Sequence, residues 1–189
     1  MQLGGQLTRQ VVRTSLREMR ARLRDASAFH LSINVWATDV TDPSFHAFLE
    51  AQCAAQGIDP HRIALKLNER STTDSAALAQ SLQELREKGF RCSIDDFGTE
   101  HSNLAYLTTL PIDVLKLDQQ FIRFIDASPL GPPIVAPIFD MIRHLDVEVV
   151  VEGIETEAQA EFVRAHAPGA IGQGWLLGRP VAMADFPAK

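Results

Sequence analysis

Two adjacent carboxylates, Asp95-Asp96, close an apolar run and are followed at once by Phe97-Gly98. A buried parallel strand ending in paired acids and a glycine turn delivers hard oxygen donors to the mouth of an α/β barrel, where a divalent cation can sit. Other β-rich runs also carry a polar group at or near their ends: Asn34, Lys66, Lys116, Glu152 and Gln173. Lys116 stands between Leu115 and Leu117, and an ammonium inside an apolar strand needs a partner. Each residue taken alone has a plain structural reading. Asn34 serves as a core or turn amide, Asp95-Asp96 as a turn pair, and Glu152 and Glu155 as caps of a helix opening near Thr156. Gln173-Gly174 alone says almost nothing. One polar group on each successive strand is the stronger signal, because ligands collect at the carboxyl ends of parallel strands.

The elements that must position these groups alternate along the chain. β-rich runs occur at 29–36, 63–68, 91–97, 114–118, 148–153 and 170–175. Amphipathic stretches lie at 43–57, 74–89, 133–145 and 156–166, with a short helical segment at 119–125. An opening helix over 2–25 presents Leu7, Val11, Val12, Leu16, Met19 and Leu23 at helical spacing. Its arginines at 9, 13, 17, 20, 22 and 24 are read as the solvated face of a packed helix, rather than a docking surface for an acidic partner. Asp42-Pro43 is a helix start, and Gly57 and Gly89 are helix stops. The proline-rich run 129–133 reads as a surface loop. Six strands joined by helices predict a parallel sheet with right-handed crossovers. A closed barrel of this kind uses eight strands. The expectation is therefore one TIM-barrel-like α/β domain over 1–189, with outer helices, incomplete at its N-terminus and lacking its first two strands.

Composition narrows the function classes. The 189 residues are 46% hydrophobic and 22% charged, with a net charge of −6. That charge gives no basis for binding a nucleic acid polymer. No apolar run reaches the roughly 20 residues of a membrane span, and no signal peptide opens the chain. Cys53 and Cys92 lie far apart in apolar segments and read as reduced core thiols, which predicts a cytoplasmic setting.

The motifs together resemble the EAL family, bacterial phosphodiesterases that hydrolyse cyclic di-GMP to the linear dinucleotide. The matching text is Ser32-Ile33-Asn34-Val35, Asp95-Asp96-Phe97-Gly98-Thr99, and Leu110-Pro111-Ile112-Asp113-Val114-Leu115-Lys116-Leu117-Asp118 with Phe121-Ile122. It continues through Val151-Glu152-Gly153-Ile154-Glu155-Thr156 to Gln173-Gly174-Trp175 and Arg179-Pro180. The resemblance implies Mg²⁺ or Mn²⁺ at the strand ends of a competent site, with Asn34, Asp95 and Asp96 as ligands. It implies that Lys116 orients the attacking water and that Glu152 is the metal-linked acid or general base. Glu155 supports the active-site loop, and Gln173 lies near water and phosphate.

Three departures bear on activity. No Glu-Ala-Leu segment is present in the chain. Lys66-Leu67-Asn68-Glu69 stands where the family carries Glu-x-Thr-Glu, so a ligand carboxylate is replaced by an ammonium aimed at the cation site. The alternative alignment makes Glu69 the ligand. The active-site loop reads Thr99-Glu100-His101-Ser102-Asn103, without the family's glycine, and Leu177 stands where many relatives carry an aromatic. The favoured expectation is that Lys66 pairs with Asp95 in place of a metal. The chain then reads as a cyclic di-GMP signalling protein with impaired or lost hydrolysis, acting by binding nucleotide, a protein partner or a second copy, with no metal needed. The alternative is an active metal-dependent phosphodiesterase. A Schiff-base enzyme using Lys116 is a third class, against which Asp95-Asp96 and Gln173-Gly174 both stand.

Overall fold

The computed structural model of the chain describes residues 3–24, 29–68, 75–98, 105–127, 130–182 and 185. The chain divides into two compact units, Met1–Leu115 and Lys116–Lys189. The first holds α1 (Leu3–Arg24), β1 (Leu31–Val35), α2 (Ala37–Val40), α3 (Pro43–Gln56), β2 (Ile63–Asn68), α4 (Ser75–Glu87), β3 (Arg91–Phe97) and α5 (Ala105–Thr109). Strand β4 (Val114–Leu117) carries the division. The second unit holds α6 (Gln119–Ala127), α7 (Gly131–Ile142), β5 (Glu148–Val151), α8 (Glu157–His166) and β6 (Ile171–Gly172). Strand order follows chain order, β1-β2-β3-β4 in the first unit and β4-β5-β6 in the second. The β1–β2, β2–β3 and β5–β6 pairs are all parallel. This is the α/β class expected from the alternation, with all six predicted strands present.

In the first unit, Ile33, Val35, Leu65, Leu67, Cys92 and Ile94 are buried on the strands. Val12 and Leu16 of α1, Phe45 and Leu49 of α3, and Leu78, Leu82 and Leu85 of α4 are buried with them. Each such side chain removed from water contributes about 2 kcal/mol. In the second unit the buried set is Leu117, Ile122, Val135, Phe139, Ile142, Val151, Ile154 and Val163. Both cysteines are free and buried. Burial pushes the Cys53 thiol up to about 11 and the Cys92 thiol up to about 12.

Helix starts follow the expected chemistry, with one exception. Asp42 caps α3 by accepting from the Ser44 N–H at 2.9 Å, ahead of Pro43. The Ser44 hydroxyl and amide, helped by Arg9, hold the Asp42 carboxyl below its ordinary value. Gly57 ends α3 in the left-handed region. The exception is the proline-rich run, because Gly131-Pro132-Pro133 opens α7 instead of forming a loop. First-turn N–H groups have no helical acceptor, so prolines there forfeit no hydrogen bond. The α1 arginines also do more than face water. The Arg9 and Arg13 guanidiniums lie 5.0 and 4.9 Å from the Phe48 ring, and Arg20 donates to the Gln56 carbonyl at 3.1 Å. Among the described residues, no helix is long and apolar enough to cross a membrane.

Candidate functional site

In a parallel sheet, cross-strand partners share a face, as do residues two apart on one strand. Asn34 stands opposite Lys66, and Lys66 opposite Ser93. Asp95 follows Ser93 by two. Asn34, Lys66, Ser93 and Asp95 therefore point to one side, while the apolar residues between them point to the other. On that polar face the Lys66 ammonium lies 2.8 Å from Asp95 Oδ2, with both side chains largely shielded from water. The expected Lys66–Asp95 pair is present. Asp96 has a backbone φ of 54°, in the left-handed region that few residues other than glycine adopt. Aspartate tolerates this conformation better than most, and such strain concentrates at functional sites.

The second unit carries a matching arrangement. The Lys116 ammonium pairs with Glu152, and both side chains are mostly buried. Glu152 is thus the partner that the apolar setting of Lys116 demanded. The Glu152 N–H donates to the Leu117 carbonyl at 3.1 Å, and the Gln173 N–H donates to Val151 at 2.8 Å. These bonds set Glu152 and Gln173 just beyond the ends of neighbouring strands. The glycines that follow are required by close approach. A Cβ on Gly153, where φ is 76°, would meet Gln119 Cβ at 2.3 Å, and one on Gly174 would meet the Ile154 carbonyl oxygen at 2.1 Å.

A cleft of about 740 Å³ opens here, lined by Arg123, Glu152, Glu155, Gln173, Trp175 and Arg179 among others. Trp175 is 62% exposed, and the Arg179 guanidinium lies 4.9 Å from its ring centroid. Arg123 stands 3.9 Å from the Glu155 carboxylate. An exposed indole with one guanidinium against it, in a cleft that also holds Arg123, is suited to a planar base and a phosphate. Sequence reasoning quoted Trp175 and Arg179 only as matching text, and it missed Arg123.

The expected site residues thus fall into two groups. Asn34, Asp95 and Asp96 belong to the strands of the first unit. Lys116, Glu152, Glu155 and Gln173 belong to the second. Helix capping, one plain reading of Glu152 and Glu155, is instead performed by Thr156. Its hydroxyl accepts from the Gln159 N–H at 3.2 Å, while Gln159 Oε1 accepts from the N–H groups of Glu155 and Thr156. Glu69 and the loop residues Thr99, Glu100, His101, Ser102 and Asn103 lie outside the described residues.

Comparison with known proteins decides the family. The EAL domain matches residues 1–180. The chain belongs to the EAL family. This EAL domain is 33% identical over 180 residues to the probable cyclic di-GMP phosphodiesterase PdeB of Escherichia coli, covering 95% of this chain and 34% of PdeB. It thus spans about a third of that relative's length. The EAL domain of Mycobacterium smegmatis DcpA superposes with a TM-score of 0.85 at 29% identity, over 97% of this chain and 83% of that one. Klebsiella pneumoniae BlrP1, solved as a manganese and cyclic di-GMP complex, gives 0.77 at 26% identity, over 91% and 45%. The TIM-barrel-like α/β fold expected from the sequence is the fold of this EAL domain.

The manganese in that neighbour raises the question of fit. Asn34, Asp95 and Asp96 offer hard oxygen donors of the kind Mg²⁺ and Mn²⁺ prefer. Yet Asp95 Oδ2 already has an ammonium at 2.8 Å. A magnesium ion bound to that oxygen at about 2.1 Å would crowd the lysine and meet its positive charge. As arranged, the Oδ2 oxygen of Asp95 is taken by the Lys66 ammonium and does not fit a divalent cation as well.

Proposed function

We propose that this chain is an EAL-domain protein of cyclic di-GMP signalling in which hydrolysis is impaired or lost, acting in the cytoplasm by binding nucleotide or a protein partner. The observation that carries this reading is the Lys66–Asp95 ion pair. In-line attack on a phosphodiester needs cations to neutralise the developing charge and to lower the pKa of water. A lysine fixed on Asp95 supplies one positive charge in place of two and holds no water to activate.

Binding makes smaller demands. The cleft of the second unit supplies Trp175 for a base, Arg179 and Arg123 for a phosphate, and Gln173 as a neutral hydrogen-bonding group. Lys116 and Glu152 stay as a pair at its edge. Glu155, tied to Arg123, holds the loop that leads to α8. The relatives named as cyclic di-GMP phosphodiesterases support the choice of nucleotide. The test is incubation with cyclic di-GMP and Mn²⁺, followed by chromatography, beside calorimetric titration with the nucleotide in EDTA. Heat of binding without linear dinucleotide is expected. Clear turnover overturns the reading, and absence of both heat and turnover leaves the protein-binding role alone.

A further inference from the structure

We infer that Lys66 is an internal counter-ion that keeps divalent cations off Asp95, and that neutralising this one residue opens a cation site on the polar face of β1–β3. The inference rests on the impaired-hydrolysis reading above but concerns cation binding itself. Three observations converge on it. The ammonium lies 2.8 Å from Asp95 Oδ2, so that oxygen is already paired with a positive charge. Register sets Lys66 directly between Asn34 on β1 and Ser93 on β3, so the lysine stands in the middle of a row of oxygen-bearing side chains. The Ser93 hydroxyl, on a residue only 2% exposed, makes no hydrogen bond among the described residues. A buried hydroxyl without a partner is costly, and it is a ready neutral donor for a small hard cation.

Charge decides the outcome. Lys66, Asp95 and Asp96 together carry a formal −1. Lys66→Met makes this −2 and Lys66→Glu makes it −3, while Lys66→Arg leaves it unchanged. Attraction for a divalent ion rises at each step in a site shielded from water. The rise is steeper than at an exposed surface because salt screens the site poorly.

The test titrates the whole chain with Mn²⁺ alone, read by the loss of the free-ion electron paramagnetic resonance signal and by calorimetry. Wild type and Lys66→Arg should show no site tighter than about 1 mM. Lys66→Met should tighten binding about tenfold and Lys66→Glu about a hundredfold. Adding Asp95→Asn to Lys66→Glu should return affinity to within a few-fold of wild type. Circular dichroism in EDTA confirms folding, and Lys66→Met decides the matter if Lys66→Glu does not fold. Wild type binding as tightly as the neutral variant overturns the inference, as does a folded Lys66→Met with no gain. Nucleotide titration of wild type in EDTA tests the binding role separately, since it contains no divalent ion.

Discussion

Breaking the Lys66–Asp95 pair should cost far more stability than breaking a surface ion pair. At 2.8 Å and an effective dielectric of about 20, the gross attraction is about 6 kcal/mol. Desolvation of the two ions cancels much of it. Exposed pairs retain about 0–1 kcal/mol, whereas removing one partner of a buried pair costs about 3–5 kcal/mol. Side-chain exposures of 18% for Lys66 and 11% for Asp95 place this pair near the buried limit. Lys66→Met and Asp95→Asn are each expected to lose about 3 kcal/mol, because each strands the other charge. The double variant strands neither and should lose no more than either single, so a double-mutant cycle should return a coupling of at least about 3 kcal/mol. Urea unfolding in EDTA reads it, with each single variant moving the midpoint down by about 1 M for a slope of about 3 kcal/mol per M. A coupling below about 0.5 kcal/mol would refute the argument, since it is the value of a solvated pair.

The remaining predictions probe other parts of the fold. EDTA should leave the wild-type thermal midpoint within about 1 °C, whereas a resident cation at a hundred times its Kd would add about 2.7 kcal/mol and several degrees. Gly174→Ala should lower stability by at least about 2 kcal/mol, read by the urea midpoint, because its Cβ has no room beside the Ile154 carbonyl. The two thiols should resist an aromatic disulfide reagent in the native protein and react once it unfolds in urea. Their raised values also make stability fall above pH 9, by about 1.4 kcal/mol per pH unit per thiol up to the folded value, because the unfolded chain ionises first. Asp42→Ala should cost about 1 kcal/mol at pH 7. The lowered Asp42 value means that its contribution is present above pH 3.8 and lost as pH falls through the folded value, so wild type and variant should converge in acid melts.

The strands were legible because their apolar runs are short, β-rich and bounded by helical periods, and β2 and β3 match the predicted spans residue for residue. The later strands were read too long. Regular pairing of β5 stops at Val151, where Glu152-Gly153 leaves the sheet, and β6 ends at Gly172, ahead of the Gly174 turn. Hydrophobic pattern cannot see where a ladder stops when the loop beyond it is also packed. Pro132-Pro133 differs for another reason: the same residues suit a loop and a first helical turn alike. The need of Lys116 for a partner followed from its apolar neighbours. Glu152, 36 residues away, could not be deduced from that need, since register between distant strands leaves no trace in local sequence. Resemblance to the family set the two residues at one site, and the structure added the bond between them.

The two lysines show why a residue type alone does not assign a role. Lys66 and Lys116 both stand on shielded strands and both pair with a carboxylate. Lys116 matches the family's text and pairs with Glu152. Lys66 departs from that text and pairs with Asp95. Their electrostatic effects differ accordingly. The Lys116 ammonium offsets the charge of Glu152. The Lys66 ammonium on Asp95 Oδ2 offsets negative charge that would otherwise draw a cation in. With Asp95 neutralised from within, the polar face of the first unit stays compatible with folding in the absence of metal. Asp95 thus has a structural partner that depends on no catalytic role.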